Sequence, residues 1–471
     1  MPDRTLERLS FLDTSFLALD SRTTHMHVGS VAIFDGKGVV DSDGGLDIAK
    51  IRQFMESRLQ FIPRYRQRLA WIPIERYPVW VDDQHFNIEY HVRHTSLPRP
   101  GGTEELKALS GRIMSNKLDQ SKPLWELWFV EGLSEGRFAM VAKIHHCMID
   151  GMSGVDLLAA MLGMVPDPNP GEVKPWKPRP EPSGVQMVVG DVARRLRESL
   201  DRVVKPGELR DKTQETMSNL IRRSSAVTAS LQSGWLKKGD ANPLNAPIGP
   251  NRRFTWTDTP LADVKAIKNA LGGSVNDVVL TIVAGTLRKF LTEQRGTDVA
   301  ELGYRVMAPV SVRTKSQKGT LGNQVAMWLV SLPVSEPNPI LRLKAVREET
   351  AHLKRSDQAL GAATLVQMSS GTPITLLSLG TRLAAGRRPF ATTVTNVPGP
   401  QIPLYLMESE MVAQYPLVPL WENHGYGIAV FSYNGMLNWG INSDWDLLPD
   451  NDAFVECIHA AIAELKDVAD L

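Results

Sequence analysis

Cysteine is nearly missing from this sequence of 471 residues: Cys147 and Cys457 are the two present, far apart along the chain. Two thiols so placed give no disulfide framework and fit a reducing compartment. No run of about 18 apolar residues occurs, so no membrane-spanning helix is expected. Asp3 and Glu7 sit near the start with no uninterrupted apolar core after them, which argues against a secretory signal. Charge of one sign is also not in excess. With 53 basic and 52 acidic residues the net charge is +1, and no global field recruits nucleic acid. A fixed-period repeat is lacking as well. These absences place the chain in the cytoplasm, with peripheral attachment to the inner membrane face or to lipid inclusions left open.

The residues that are present suit a folded globular protein, with 42% hydrophobic and 22% charged. The length exceeds one ordinary core and suggests two domains of about 200 residues each. Residues 1–165 alternate strand patterns, such as His27 to Phe34, with helical ones, Ile48 to Leu59 and Glu104 to Leu118. Strands interleaved with helices predict an α/β (α+β layered) domain. A Pro-rich stretch, Pro166 to Gly171 and on through Pro182, then breaks the pattern and opens a linker over 166–250. Residues 185–238 within it look helical and amphipathic. Between 171 and 240 there are 14 basic and 9 acidic residues, a local +5 (14 − 9). Arg194, Arg195, Arg197, Arg222 and Arg223 lie beside Leu196, Val203, Leu220 and Ile221. Such a run is either a solvated helix face or a site that docks an anionic membrane or lipid droplet. Strand and helix patterns resume from Arg253, so 251–471 is expected to form a second domain.

The chemistry concentrates at one strand end. Phe138 to Ile144 reads as a buried strand and leads directly into His145-His146, ahead of the turn residues Asp150-Gly151. Imidazole, with an ordinary pKa of about 6.5, suits proton transfer to and from a reacting hydroxyl. That predicts a pH–rate limb near neutrality. Adjacent strand residues face opposite ways, so the two histidines do not share one metal, and no metal site is expected. Cys147 reads as a small core residue rather than a nucleophile. A purely structural histidine pair is the competing reading.

Asp150 is expected to hold the turn through an arginine, Arg313 or alternatively Arg305. Trp125, alternating with Leu127 and Phe129, reads as strand core that supports the site. His25 and His27 suit a strand or substrate-lining role. Gly272-Gly273-Ser274 lacks the context of a phosphate loop and reads as a turn. Asn323 and Gln324, after Gly322, are expected on the second-domain side of the site.

His145-His146-x-x-x-Asp150-Gly151 resembles the HHxxxDG signature of the bacterial wax ester synthase/diacylglycerol acyltransferase family. Pro123-Leu124-Trp125 resembles that family's PLW motif, and Asn276-Asp277 its ND motif. Met26-His27-Val28-Gly29 and Asn396-Val397-Pro398-Gly399-Pro400 also look like family segments, so the resemblance runs from about Leu9 to Trp445. It implies two chloramphenicol-acetyltransferase-like domains joined by a long crossover linker, with substrates meeting in a tunnel between them. It further implies transfer of a fatty acyl group from acyl-CoA to diacylglycerol or a long-chain alcohol, with acyl-CoA as co-substrate and no bound cofactor. By this analogy His146 is the general base, His145 supports it, and Asn276 is a candidate oxyanion donor. Asn276 reads equally as the N-cap of the helix ahead of Val278 to Phe290. Pro123, Leu124, Trp125 and Asp277 join Asn323 and Gln324 as expected substrate-site residues. The rival functions are a related acyl or condensation enzyme using another acceptor or a carrier-protein thioester, and a non-catalytic protein of lipid-droplet surfaces.

Overall fold

The computed structural model describes residues 7–148, 158, 160–203, 240–311, 325–355 and 389–471. Strands are numbered along the chain. The first six-stranded sheet has the spatial order β5 (Val92–Ser96), β6 (Trp125–Glu131), β7 (Phe138–His145), β2 (His27–Phe34), β13 (Ser409–Leu417) and β12 (Tyr405–Leu406). The second runs β8 (Arg252–Pro260), β15 (Met436–Asp444), β14 (Tyr426–Tyr433), β11 (Thr392–Pro398), β9 (Tyr304–Ser311) and β10 (Val325–Leu332). A small sheet joins β1 (Glu7–Arg8), β4 (Pro78–Asp82) and β3 (Gln67–Trp71). Pairing is parallel between β5 and β6 and on both sides of β11, and antiparallel elsewhere. The layered α/β class expected from the alternating patterns is the class observed.

Local sequence explains the central positions. Every residue of β7 and of β14 is buried, as in strands covered on both faces. Asn434 and Gly435, both at positive φ, form the two-residue turn from β14 to β15, with Tyr433 opposite Met436. The longer helices are α1 (Phe11–Leu19), α2 (Ile48–Arg58), α3 (Thr103–Ser115), α4 (Gly184–Val203), α5 (Leu261–Leu271), α6 (Val275–Lys289), α7 (Pro339–Arg355) and α8 (Asn451–Asp467). α6 is buried without a break from Asp277 to Leu287 because α7 and α8 cover what the second sheet does not. No single helix among the described residues is long and apolar enough to cross a membrane.

The two halves interlock. β12 and β13 come from the 251–471 span, yet β13 pairs with β2 in the first sheet. β13 also lies against the second sheet at backbone distance. Asn438 Nδ2 donates to the Gln414 carbonyl at 3.0 Å, and Asn442 Nδ2 to the Val418 carbonyl at 2.8 Å. The Tyr415 hydroxyl donates to Asp258 at 2.8 Å. The Pro-rich start of the linker runs along the first half, where Arg179 pairs with Asp82 at 2.7 Å. α4 then packs Met187 onto the small sheet. The rest of the expected amphipathic segment, including Arg222 and Arg223, lies outside the described residues.

Candidate active site

Two-residue periodicity turns β7 into a sorter of side chains. Met140, Ala142, Ile144 and, one step past the strand, His146 line a cavity of about 360 Å³. Lys143 and His145 point to the other face, where the Lys143 ammonium donates to the Ile113 and Asn116 carbonyls at the end of α3. Both halves build the cavity. Leu12 and Phe16 of α1 and Val28 to Ser30 of β2 face Met307, Thr393, Thr395, Ala429 and Phe431 of the second sheet. A Cβ at position 29 would meet the Ala142 carbonyl oxygen at 2.1 Å, so only glycine lets β2 approach β7 there. Methionine and aliphatic side chains dominate this wall. It is a dry space of the kind that takes a chain of methylenes.

The histidines are fixed through their backbones. His145 N–H donates to the Leu124 carbonyl at 2.9 Å, and His146 N–H to the Met26 carbonyl at 2.8 Å. Pro123-Leu124-Trp125 and Met26-His27 thus clamp the end of β7 from two sides. Trp125 itself is fully buried. Its indole N–H donates to the Tyr65 carbonyl at 2.8 Å, and its ring stacks on His91 at 4.4 Å. Leu124 is likewise buried, so these two reach the site through packing and the backbone.

The His146 ring stacks on Phe16, with centroids 3.8 Å apart and planes 25° from parallel. Its Nδ1 is buried and makes no hydrogen bond to another residue among the described ones, whereas the residue as a whole keeps some exposure towards the cavity. Burial pushes its pKa down to about 4, partly offset by its own backbone carbonyl. The ring is therefore neutral at neutral pH, with a lone pair to offer. The enclosed site thus disfavours the imidazolium.

His145 differs from its neighbour. Cys147 N–H donates to His145 Nδ1 at 3.2 Å, and the Cys147 sulfur lies 3.0 Å from the same nitrogen. An accepting Nδ1 places the ring proton on Nε2. Burial, then the charges of His146 and Lys117, push this pKa down to about 3. The Cys147 thiol is pushed well up by burial and stays protonated, as suits a core residue. His27 sits opposite His145 in the sheet register, with ring centroids 5.9 Å apart, and His25 follows at 5.6 Å.

The second-half residues fall out differently. Ser274, not Asn276, caps α6: its hydroxyl accepts from Asp277 N–H at 3.2 Å, and the Asp277 carboxylate accepts from Ser274 N–H at 2.7 Å. The helix starts earlier than expected because this reciprocal capping box satisfies its first-turn donors. The other Asp277 oxygen accepts from the Thr350 hydroxyl at 2.8 Å. Both oxygens thus hold the start of the helix, and Asp277 is not among the residues lining the cavity. Asn276 lies in the first turn of α6 and does not line the cavity. Asp150, Gly151, Arg313, Asn323 and Gln324 lie outside the described residues. Arg305, the alternative partner for Asp150, is on β9, where its carbonyl accepts from Ala391 N–H at 2.7 Å.

Phe16 was not among the residues singled out from sequence. Its signal is nonetheless there: Ser10 with Asp13 three residues on is a cap, and Leu12 and Phe16 share a helix face.

Comparison with known proteins agrees with this architecture. Residues 9–279 match the wax ester synthase/diacylglycerol acyltransferase catalytic domain, and residues 321–466 match the WS/DGAT C-terminal domain. A Mycobacterium tuberculosis H37Rv protein named as a diacylglycerol O-acyltransferase is 30% identical over 469 residues, covering 98% of this chain and 96% of its own. A second from that strain, with the same activity in its name, is 31% identical over 476 residues, 99% of this chain and 91% of its own. Among solved structures, a wax ester synthase/diacylglycerol acyltransferase from Marinobacter aquaeolei VT8 superposes with a TM-score of 0.70 at 24% identity, covering 99% of this chain and 100% of that one. The first condensation domain of the calcium-dependent antibiotic synthetase shares the fold at a TM-score of 0.60 and 14% identity, covering 99% and 97%. With His146 at the wall of a cavity between two sheets, the chain is an acyltransferase and belongs to the wax ester synthase/diacylglycerol acyltransferase family.

Proposed function

We propose that this enzyme moves a fatty acyl group from acyl-CoA to the hydroxyl of diacylglycerol or a long-chain alcohol, with His146 as the general base. The acceptor oxygen gives its proton to the imidazole as it attacks the thioester carbonyl. The carbon–sulfur bond then breaks, the ester leaves, and the CoA thiolate takes that proton back from His146. One nitrogen therefore serves both half-steps, and no proton needs to leave the cavity. With Nδ1 buried, Nε2 is the nitrogen assigned to this task. His145, on the opposite face of the strand end, is a positioning residue.

The observation that carries this reading is the composition of the cavity wall. His146 is the imidazole among its described lining residues, and the other titratable group there, Tyr65, is pushed further up by burial. A neutral base surrounded by aliphatic side chains fits a hydroxyl lipid better than a charged acceptor. An acceptor of this class does not dissolve in water, so the enzyme works at a lipid surface.

The test is single-turnover release of free CoA from long-chain acyl-CoA, with diacylglycerol and with hexadecanol as acceptors, and identification of the ester. His146→Ala should slow release by about 10²–10⁴-fold, the usual contribution of a positioned base. His145→Ala should cost less. Near-normal release in folded His146→Ala, or a larger loss from His145→Ala, removes the assignment.

A further inference from the structure

Exposed apolar side chains are concentrated on one part of the surface. Among the described residues, Trp71, Ile74, Val185, Val189 and Val192 make up five of the fifteen exposed large hydrophobic ones, in two short stretches of chain. Ile74, in the turn from β3 to β4, is 92% exposed and holds a φ of +76°, a region that β-branched residues avoid. Strain of that kind persists where the side chain has a use at its position.

α4 completes the face. Val185, Val189 and Val192 recur at helical spacing on its outer side, while Met187 and Asp191 on the opposite side are buried. Met187 packs on Ala70, Ile72, Val79 and Val81 of the small sheet, and Gly184 abuts Pro73 in the turn. Arg8 ties the two pieces together, reaching Glu75 of the turn at 2.9 Å and Asp191 of the helix at 2.8 Å. Turn and helix therefore move as one surface.

Its charge and its position say what covers it. Residues 61–77 carry four arginines against one glutamate, a net +3 (4 − 1) in a chain whose total is +1. Arg64, Arg66 and Arg68 are paired with Glu7, Glu56 and Glu181, all outside this stretch, which leaves Arg76, exposed beside Ile74 and making no ion pair among the described residues, as its uncompensated cation. Behind the turn, the Tyr77 hydroxyl donates to the Leu9 carbonyl at 3.0 Å and accepts from Thr14 of α1 at 3.4 Å. The other side of α1 presents Leu12 and Phe16 to the cavity. α1 thus touches this face on one side and the ring of His146 on the other.

We propose that the β3–β4 turn and the outer side of α4 form the seat on which the protein rests on a lipid surface with anionic headgroups. Ile74, Val185 and Val189 enter the acyl region and Arg76 meets the headgroups. α1, which lines the cavity with Leu12 and Phe16, then lies next to the layer that holds the water-insoluble acceptor. This rests on the reading of the acceptor as a hydroxyl lipid.

The experiment compares the full chain with Ile74→Asp/Val189→Asp in co-sedimentation with vesicles of phosphatidylcholine containing 30% phosphatidylglycerol, with about tenfold or greater loss of binding expected from removing two buried aliphatic anchors. Arg76→Gln should lower binding about fivefold on those vesicles and leave binding to pure phosphatidylcholine unchanged. CoA release with a short water-soluble alcohol should be the same in all variants, whereas release with vesicle-borne diacylglycerol should fall in parallel with binding. All these positions are exposed, and melting temperatures within a degree or two of wild type check that folding is intact. Unchanged sedimentation of the double variant overturns the proposal. So does a wild-type dimer that Ile74→Asp dissociates, since a second copy would then own the face. Wild type that binds vesicles but acylates no hydroxyl lipid would sink the acceptor reading and leave the seat standing.

Discussion

Phe16 lies flat against His146, 3.8 Å from centroid to centroid, and a helix absent from every motif thereby sets the environment of this imidazole. The stack excludes water from one ring face, and burial holds the imidazole near a pKa of 4. Phe16→Ala should open that face. The His146 pKa then rises towards its ordinary value, and the acid limb of the pH–rate profile moves up from about 4 towards about 6.5. The catalytic rate should fall with little change in KM for acyl-CoA, and stability should drop by about 3–5 kcal/mol, as for other buried Phe→Ala changes. Phe16→Leu should restore much of the stability and keep the limb low. A limb that stays put in Phe16→Ala would leave Phe16 a packing residue only.

Much of the site was legible because strands sort residues by parity. The run from Phe138 to His145 is apolar enough to be a central strand, and counting by twos from Met140 arrives at His146 on the cavity side. The clamp made by Leu124 on His145 is a backbone contact, which motif order hints at but cannot locate. Partners remote along the chain left no local mark. β13 joins β2 across more than 370 residues, a pairing that hydropathy does not encode. The cap of α6 was misplaced for a smaller reason: Ser274 and Asn276 are both good caps, and the choice falls to the one with Asp277 three residues on.

Buried neutral histidines tie stability to pH. Burial lowers the pKa values of His25 and His27, and brings those of His91, His145 and His146 to about 4, about 3 and about 4. The unfolded chain binds protons at these positions near pH 6.5, whereas the folded chain refuses them until far lower. Stability is therefore full above about pH 6.5 and is lost as the pH falls towards 4, by up to about 1.4 kcal/mol per histidine per pH unit. Melting temperature should be flat from pH 8 to 7 and then fall steadily to pH 5. His91→Gln, away from the cavity, should make that fall shallower. A melting temperature unchanged between pH 7 and 5 would contradict the burial of these rings.

The interlock of the two sheets depends on a missing side chain. A Cβ on Gly440 of β15 would come within 1.8 Å of the Pro416 carbonyl oxygen of β13, a contact with backbone that has no flexible end to move. Gly440→Ala should separate the sheets locally and cost about 1–3 kcal/mol or more, read as a lower denaturant midpoint. Since Pro416 also lines the cavity, KM for the lipid acceptor should rise in the same variant. A midpoint equal to wild type would mean that β13 does not lie against β15 as closely as this.

Asp277 belongs to a motif that sequence reading attached to substrate, yet its oxygens hold Ser274 and Thr350. Two consequences separate these roles. As the reciprocal half of the cap, Asp277→Ala should cost stability by about 1–3 kcal/mol, because it frees the Ser274 N–H and leaves the buried Thr350 hydroxyl with one partner fewer. Ser274→Ala removes the other half of the same box and should cost about 0.5–2 kcal/mol. The two losses should be less than additive, since each single change already breaks the box. KM for acyl-CoA and for acceptor, measured well below the melting temperature, should stay within about twofold of wild type in both variants. A double-mutant cycle on denaturant midpoints gives the coupling, and initial rates give KM. Asp277→Ala with wild-type stability and a KM raised tenfold would return Asp277 to the substrate site.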